Sequence, residues 1–306
     1  MMKIPFYLVT GFLGSGKTTL LKRYLESYSE TRKIAIIQNE FAEVNVDSQE
    51  LKKTGKAFEI LEMNNGSVFC VCLLGDFVRS LNEFIHEHHP DLLILEASGL
   101  SDPISISQIL SAPALRNLVW LAHTYTVVDA LNFDKTLQRV GRNLQQIRVA
   151  DTLILNKCDL IHDSIPEIEQ KLRSINPFAD IIKTSYCDIA FNEKFRFRPP
   201  SYSCLMDYAA VESEGRPDID SLVIKTTKRI TRANLLQFTD EWSEKTYRIK
   251  GYIRTDSGGL AVQSCFKQVE IIDIPNFNDP TQLVILGPTL NNRLIQKEFE
   301  DLCITR

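Results

Sequence analysis

The stretch Gly11-Phe12-Leu13-Gly14-Ser15-Gly16-Lys17-Thr18-Thr19 constrains this chain more than any other. It fits the pattern G-x-x-x-x-G-K-[ST] and follows directly on the apolar run Ile4-Pro5-Phe6-Tyr7-Leu8-Val9. Such a strand must deliver a tight glycine turn, so that backbone N–H groups and a helix N-terminus converge on a di- or triphosphate with no Cβ in the way. Gly11, Gly14, Ser15 and Gly16 form the expected cradle, completed by Thr19. Lys17 is expected to set a point charge against the outer phosphates, and the Thr18 hydroxyl to coordinate the magnesium ion that bridges them. Leu20-Leu21, Tyr24-Leu25 and Tyr28 then recur at helical spacing and predict an amphipathic helix packed on a sheet.

Bulk composition narrows the class. At 306 residues, 44% hydrophobic and 24% charged, the chain has the length for about two globular domains with sizeable cores. Thirty-five basic against 39 acidic residues leave a net charge of −4, which argues against a nucleic-acid or anionic-membrane surface and for small molecules and proteins as partners. No uncharged apolar stretch reaches the roughly 18 residues that span a bilayer. Seven cysteines, an odd number scattered without a secretion signal, read as reduced thiols in a cytoplasmic protein.

Later strand ends carry further candidates. Ile34-Ala35-Ile36-Ile37 predicts a buried parallel strand ending at Gln38-Asn39-Glu40-Phe41-Ala42-Glu43. In a doubly wound sheet the strand C-termini face the ligand, so Glu40 is a catalytic candidate beside the magnesium and Glu43 a ligand for a second metal, with Asp47 beyond. Asn64-Asn65-Gly66 leads to Cys70-Val71-Cys72, with Asp76 placed to cap the next helix. On an extended segment two such thiols lie about 6.6 Å apart on one face, near enough for both sulfurs to reach one ion. Thiolates favour zinc or copper(I), and Glu43 is the candidate third ligand. His86, His88 and His89 stand in a helix's last turn, before Pro90 and the opposite end of the sheet, where a metal role is not expected.

Asp91 to Glu96 predicts a strand that runs into an acid, followed by Ala97-Ser98-Gly99. Glu96 there suits a place near the magnesium and the attacking water, with the Gly99 N–H sensing the γ-phosphate. Another strand, Tyr125–Asp129, precedes a helical stretch, and Thr152-Leu153-Ile154-Leu155 then delivers Asn156-Lys157-Cys158-Asp159. N-K-x-D at a strand end downstream of a phosphate loop is the guanine-reading motif of GTPases. The Asp159 carboxylate can accept from both the guanine N1–H and its amino group, a donor pair adenine lacks.

Taken in order, GFLGSGKTT, NEFAEVNVD, the cysteines after Asn-Gly, EASGLSDP, VVDA, QIRVAD and NKCDL resemble the CobW-like metallochaperone GTPases, relatives of the GTPases that assist nickel insertion into urease and hydrogenase. The resemblance covers Ile4 to about Lys183 and continues more weakly through RIKGYIR and QLVILG. It implies GTP hydrolysis coupled to delivery of a transition metal or to activation of a metalloenzyme. GTP and a client metalloprotein are then the partners, a homodimer is left open, and Glu43, Cys70 and Cys72 lie near the metal. The chain departs from the family pattern of Cys-x-Cys-Cys directly after Asn-Gly, because Ser67-Val68-Phe69 intervene and Leu73 replaces the last thiol. The family has glycine where this chain has Ala42, and often also at Asn45, and some members carry an acid at the position of Gln38. A GTP-dependent switch or assembly factor without a metal site of its own is the alternative.

The expected fold is a doubly wound, mainly parallel P-loop sheet over 1–190, a linker rich in proline and charge over 191–220, and an α+β domain over 221–306. In the last, runs around 222–224, 247–254, 260–264, 269–274 and 283–286 predict mainly antiparallel strands. Leu235, Leu236, Phe238 and Trp242 predict one helix face, and Leu290, Leu294, Ile295, Phe299 and Leu302 another. Cys265 and Cys303 read as core residues.

Overall fold

The structure is a computed structural model that describes residues 3–40, 58–64, 74–97, 103–139, 141–161, 163–176, 179–191, 220–256, 258–265, 268–275, 277–288 and 290–304. The chain divides into two compact units, Met1–Tyr208 and Ala209–Arg306.

The first unit is built on β1 (Ile4–Gly11), β2 (Ile34–Glu40), β3 (Glu59–Asn64), β4 (Leu92–Glu96), β5 (Val119–Asp129), β6 (Thr152–Asn156) and β7 (Asp180–Lys183). These form one parallel sheet in the order β3-β2-β4-β1-β5-β6-β7. The helices are α1 (Lys17–Tyr28), α2 (Leu74–His88), α3 (Pro103–Leu110), α4 (Phe133–Arg139), α5 (Gly141–Val149) and α6 (Ile165–Ile175). A sheet covered on both faces needs strands that are apolar throughout, and every residue of β4 and β6 is buried. The chain starts at central β1, winds outward through β2 and β3, returns to β4, and crosses β1 to reach β5. Strand order therefore reverses beside β1, and a sheet of this kind binds ligands beyond the strand C-termini at that reversal.

Helix α1 packs Leu20, Leu21, Tyr24 and Leu25 against Val9, Ile34, Ile36 and Ile94 of the sheet. At about 1.5–3 kcal/mol for each large apolar side chain taken out of water, this contact anchors the helix that starts the phosphate loop. Two details differ from expectation. Strand β3, Glu-Ile-Leu-Glu-Met-Asn, has no clear apolar run, because an edge strand needs only Ile60 and Leu61 half-buried between its acids. Asp76 is not a cap: it lies inside the first turn of α2 and pairs with Arg79.

The second unit holds β8 (Asp220–Thr226), β10 (Arg248–Arg254), β11 (Gly259–Cys265), β12 (Gln268–Ile274) and β13 (Thr281–Gly287), antiparallel in the order β12-β11-β10-β13-β8. The short strands β9 (Arg229–Ile230) and β14 (Cys303–Ile304) pair separately. Helices α7 (Arg232–Ser243) and α8 (Asn292–Asp301) pack on the sheet through Leu235, Phe238, Trp242, Ile295 and Phe299. Each is capped by its preceding side chain, Thr231 accepting from the Asn234 N–H and Asn291 from the Leu294 N–H. Leu236 and Leu294, expected on the buried stripes, are exposed. Cys303 is buried with its thiol on the Phe299 carbonyl, a core residue as expected.

Candidate nucleotide-binding site

The phosphate loop joins β1 to α1 at the C-terminal edge of the parallel sheet. Gly16 precedes the first turn of α1 at φ 112°, and its carbonyl accepts the Leu20 N–H. A Cβ on Gly16 would lie 2.5 Å from Asn156 Nδ2, and one on Gly11 (φ 140°) would lie 2.3 Å from the Val127 carbonyl oxygen. Only glycine admits both the left-handed backbone and these approaches. Lys17 Nζ donates to the carbonyls of Gly11 (3.0 Å) and Phe12 (3.3 Å), which hold the ammonium over the loop. Ser15 is buried, and its Oγ has no hydrogen-bond partner among the described residues.

Behind the loop, Thr18 Oγ1 donates to Glu96 Oε1 at 3.0 Å. Glu96 Oε2 accepts from Gln38 Nε2 at 3.1 Å, across the parallel register that sets Gln38 opposite Glu96 on β2 and β4. A hydroxyl and a carboxylate in contact beside a phosphate loop are the hard oxygen donors that magnesium takes, so this donor set fits that ion. Glu40 ends β2, paired with Asn64 of β3.

The Asn156 carboxamide is spent within the protein. Nδ2 donates to the Ser15 carbonyl at 2.9 Å, and Oδ1 accepts the Cys187 N–H at 2.9 Å. Lys157 follows at φ 65°, and its Nζ meets Asp129 Oδ2 at 2.7 Å. Asp129 also takes the N–H groups of Leu131 and Asn132 and the Asn132 side-chain amide. Burial pushes the Asp129 carboxyl up, but the bonds from Lys157 and Asn132 together outweigh it and hold the group below its ordinary value. Asp159 is exposed, and its N–H donates to Ser185 Oγ at 3.2 Å.

The loop after β7 carries no motif in the sequence, yet it is the third side of the site. Tyr186 and Cys187 both take left-handed backbone, at φ 53° and 50°. The buried Cys187 thiol donates to the Gly16 carbonyl at 3.3 Å, and burial pushes it up to about 12, so it stays neutral. The signal available is position: Thr184-Ser185 directly follows an apolar strand beside β6, where strand ends face ligand. Asp129 and Gln38 stand at strand ends visible in the sequence, but their pairing with Lys157 and Glu96 is not, because those partners are remote in the chain.

The structure thus brings together Gly11, Gly14, Ser15, Gly16, Lys17, Thr18, Thr19, Glu96, Asn156, Lys157 and Asp159 at one edge of the sheet. Glu43, Cys70, Cys72 and Gly99, and the Glu40 side chain, lie outside the described residues. Among the described residues no three His, Cys, Asp or Glu side chains converge as a metal site, and no helix is long and apolar enough to cross a membrane.

Fold and site define a P-loop nucleotide-binding protein with N-K-x-D at the end of the sixth strand. The chain belongs to the CobW/HypB/UreG family: residues 5–183 match the CobW/HypB/UreG nucleotide-binding domain, and residues 219–303 match the cobalamin synthesis protein CobW C-terminal domain. It is similar to the zinc chaperone YjiA of Escherichia coli, 32% identical over an alignment of 329 positions that covers 99% of both chains. It is 31% identical over 228 residues to the zinc-regulated GTPase metalloprotein activator 1 of Dictyostelium discoideum, covering 62% of this chain and 48% of the relative. The zinc chaperone CobW of a Sinorhizobium species is 32% identical over 189 residues, 53% of each chain. The chain thus spans about half the length of these last two relatives. The crystal structure of zinc-bound YjiA GTPase from E. coli superposes with a TM-score of 0.60 over 99% of both chains at 21% identity, a likeness of fold.

Proposed function

We propose that this protein binds and hydrolyses GTP and couples the cycle to delivery of a transition metal, zinc by analogy with its relatives, or to activation of a client metalloenzyme. The observation that carries the nucleotide reading is the Asn156 carboxamide, which ties N-K-x-D to the phosphate loop so that base and phosphate subsites are one rigid unit. Gly11, Gly14, Ser15, Gly16 and Thr19 line the phosphates, Lys17 neutralises their charge, and Asp159 accepts from the guanine edge. Thr18 and Glu96 would hold magnesium, which when bound supplies charge neutralisation between the outer phosphates. To Glu96 and Glu40 we assign catalytic roles towards the attacking water, and to the Gly99 N–H the sensing of the γ-phosphate. Glu43, Cys70 and Cys72 take the transition metal. Residues 1–190 form the GTPase domain, 191–220 the linker and 221–306 a docking or regulatory domain. The compartment we assign is the cytoplasm, where its thiols stay reduced.

Two measurements test this. Lys17→Ala should abolish phosphate release from GTP. Wild type should take up zinc from a chromophoric chelator, with an affinity that changes when a non-hydrolysable GTP analogue is added, and the Cys70→Ser, Cys72→Ser double variant should not. Unchanged zinc stoichiometry and affinity in that variant would leave a GTP-dependent switch without its own metal site.

A further inference from the structure

Gln38 belongs to none of the nucleotide-binding motifs, yet it is only 3% exposed and sits at the heart of the site. Its Nε2 donates to Glu96 Oε2, while the other oxygen of the same carboxylate accepts from Thr18. The reverse orientation of the amide would set Oε1 against a carboxylate oxygen, acceptor to acceptor, so the network itself decides which end is which. That leaves Gln38 Oε1 buried, beside the carboxylate, with no hydrogen-bond partner among the described residues. A buried acceptor of this kind is uncommon unless a ligand or ordered water meets it.

We propose that Gln38 is a positioning residue for the magnesium subsite: Nε2 locks Glu96 in the rotamer that reaches Thr18, and Oε1 accepts a hydrogen bond from a water of the ion's shell. The amide lets this side chain donate to the Glu96 carboxylate, which a carboxylate in its place could not do while ionised. An apolar side chain would remove the bond that steadies the second carboxylate oxygen. Magnesium keeps several waters when bound through one or two protein oxygens, so an acceptor set beside the carboxylate has a donor to meet.

The inference rests on the guanine-nucleotide reading, and the wild-type arm of the experiment checks that reading separately. Release of a fluorescent GDP analogue from the full chain is followed over a magnesium titration and in excess chelator, for wild type, Gln38→Met and Gln38→Asn. Methionine keeps the volume and loses both hydrogen bonds; asparagine keeps the amide and falls short of Glu96. Both variants should need about 10-fold more magnesium for the same slowing of release, the loss of a bond to a charged group. In chelator they should release at the wild-type rate, and kcat for GTP should fall with KM unchanged. Melting temperature in chelator identifies a variant that fails to fold, and the other then carries the test. Variants that follow the wild-type magnesium curve overturn the proposal and leave the nucleotide reading intact. Faster release in chelator by the same factor also overturns it, by showing a purely structural role. A wild type that binds no guanine nucleotide overturns both.

Discussion

Asn156 Nδ2 donates to the Ser15 carbonyl at 2.9 Å, a bond between the base motif and the phosphate loop across 141 positions of sequence. Because Oδ1 of the same side chain takes the Cys187 N–H, one amide joins the phosphate loop, the end of β6 and the loop after β7. A nucleotide that engages any of the three meets a site already assembled, and binding then spends less free energy on ordering.

Asn156→Ala should therefore destabilise the fold before any ligand is considered. It strands a buried carbonyl and a buried N–H, each at about 1–3 kcal/mol. Urea denaturation should show a loss of about 2–6 kcal/mol, and nucleotide titration a weaker complex. Asn156→Asp should be worse for the loop, since it turns a second acceptor towards the Ser15 carbonyl. A loss below about 0.5 kcal/mol would mean the loop holds itself.

The glycines of the loop should not respond alike. A methyl group on Gly16 meets Asn156 Nδ2 at 2.5 Å and Cys187 Sγ at 3.2 Å at φ 112°, so Gly16→Ala must push the joining amide out of place. Gly14 has φ 75°, but a methyl group there would meet nothing within 4 Å, so Gly14→Ala bears only the left-handed backbone penalty of about 1–2 kcal/mol. Thermal melts without nucleotide should rank Gly16→Ala well below Gly14→Ala. Equal melting temperatures would rule out the contact as the cause.

Asp129 gives the site a pH signature. Its carboxyl lies below the ordinary value in the folded protein, because the bonds from Lys157 and Asn132 outweigh burial. A folded-state pKa below the unfolded one stabilises the protein above the unfolded value, and the effect fades as pH falls through the folded value. The stability difference between wild type and Asp129→Asn should then be constant from about pH 5 to 8 and shrink below about pH 4. Denaturation at each pH measures it, and a difference that persists at pH 3 would assign the effect to packing.

Much of the site is legible in the sequence because chemistry and backbone coincide there. The phosphate loop announces its glycines, lysine and hydroxyl in one run, and β4 and β6 are continuous apolar runs that end at Glu96 and Asn156. Cross-chain pairing is what local sequence does not carry. Nothing near Gln38 says that it lies opposite Glu96, nor that Asp129 takes Lys157, nor that Cys187 returns to Gly16. Edge strand β3 is hidden for a related reason, since half-burial lets it carry acids that a central strand could not. Leu236 misleads because a helical apolar stripe tolerates an exposed leucine at its margin.

In the proposed function base selectivity falls to one exposed carboxylate, Asp159, which makes it the sharpest test of that reading. Ser185 Oγ holds the Asp159 N–H at 3.2 Å, and the Lys157 ammonium is fixed on Asp129, so the motif is set from both sides. Guanine offers the Asp159 carboxylate an N1–H and an amino group; adenine offers neither in that geometry. Losing two charge-assisted bonds at about 1.5–3 kcal/mol each should weaken ATP at least ~100-fold relative to GTP. Asp159→Asn should lose affinity for GTP and gain it for xanthosine triphosphate, because the amide donates to the xanthine 2-oxygen where the carboxylate could only accept. Competition of the three nucleotides against a fluorescent GDP analogue, on wild type and variant, reads both effects at once. Equal affinity of wild type for ATP and GTP would show that N-K-x-D does not read the base in this chain.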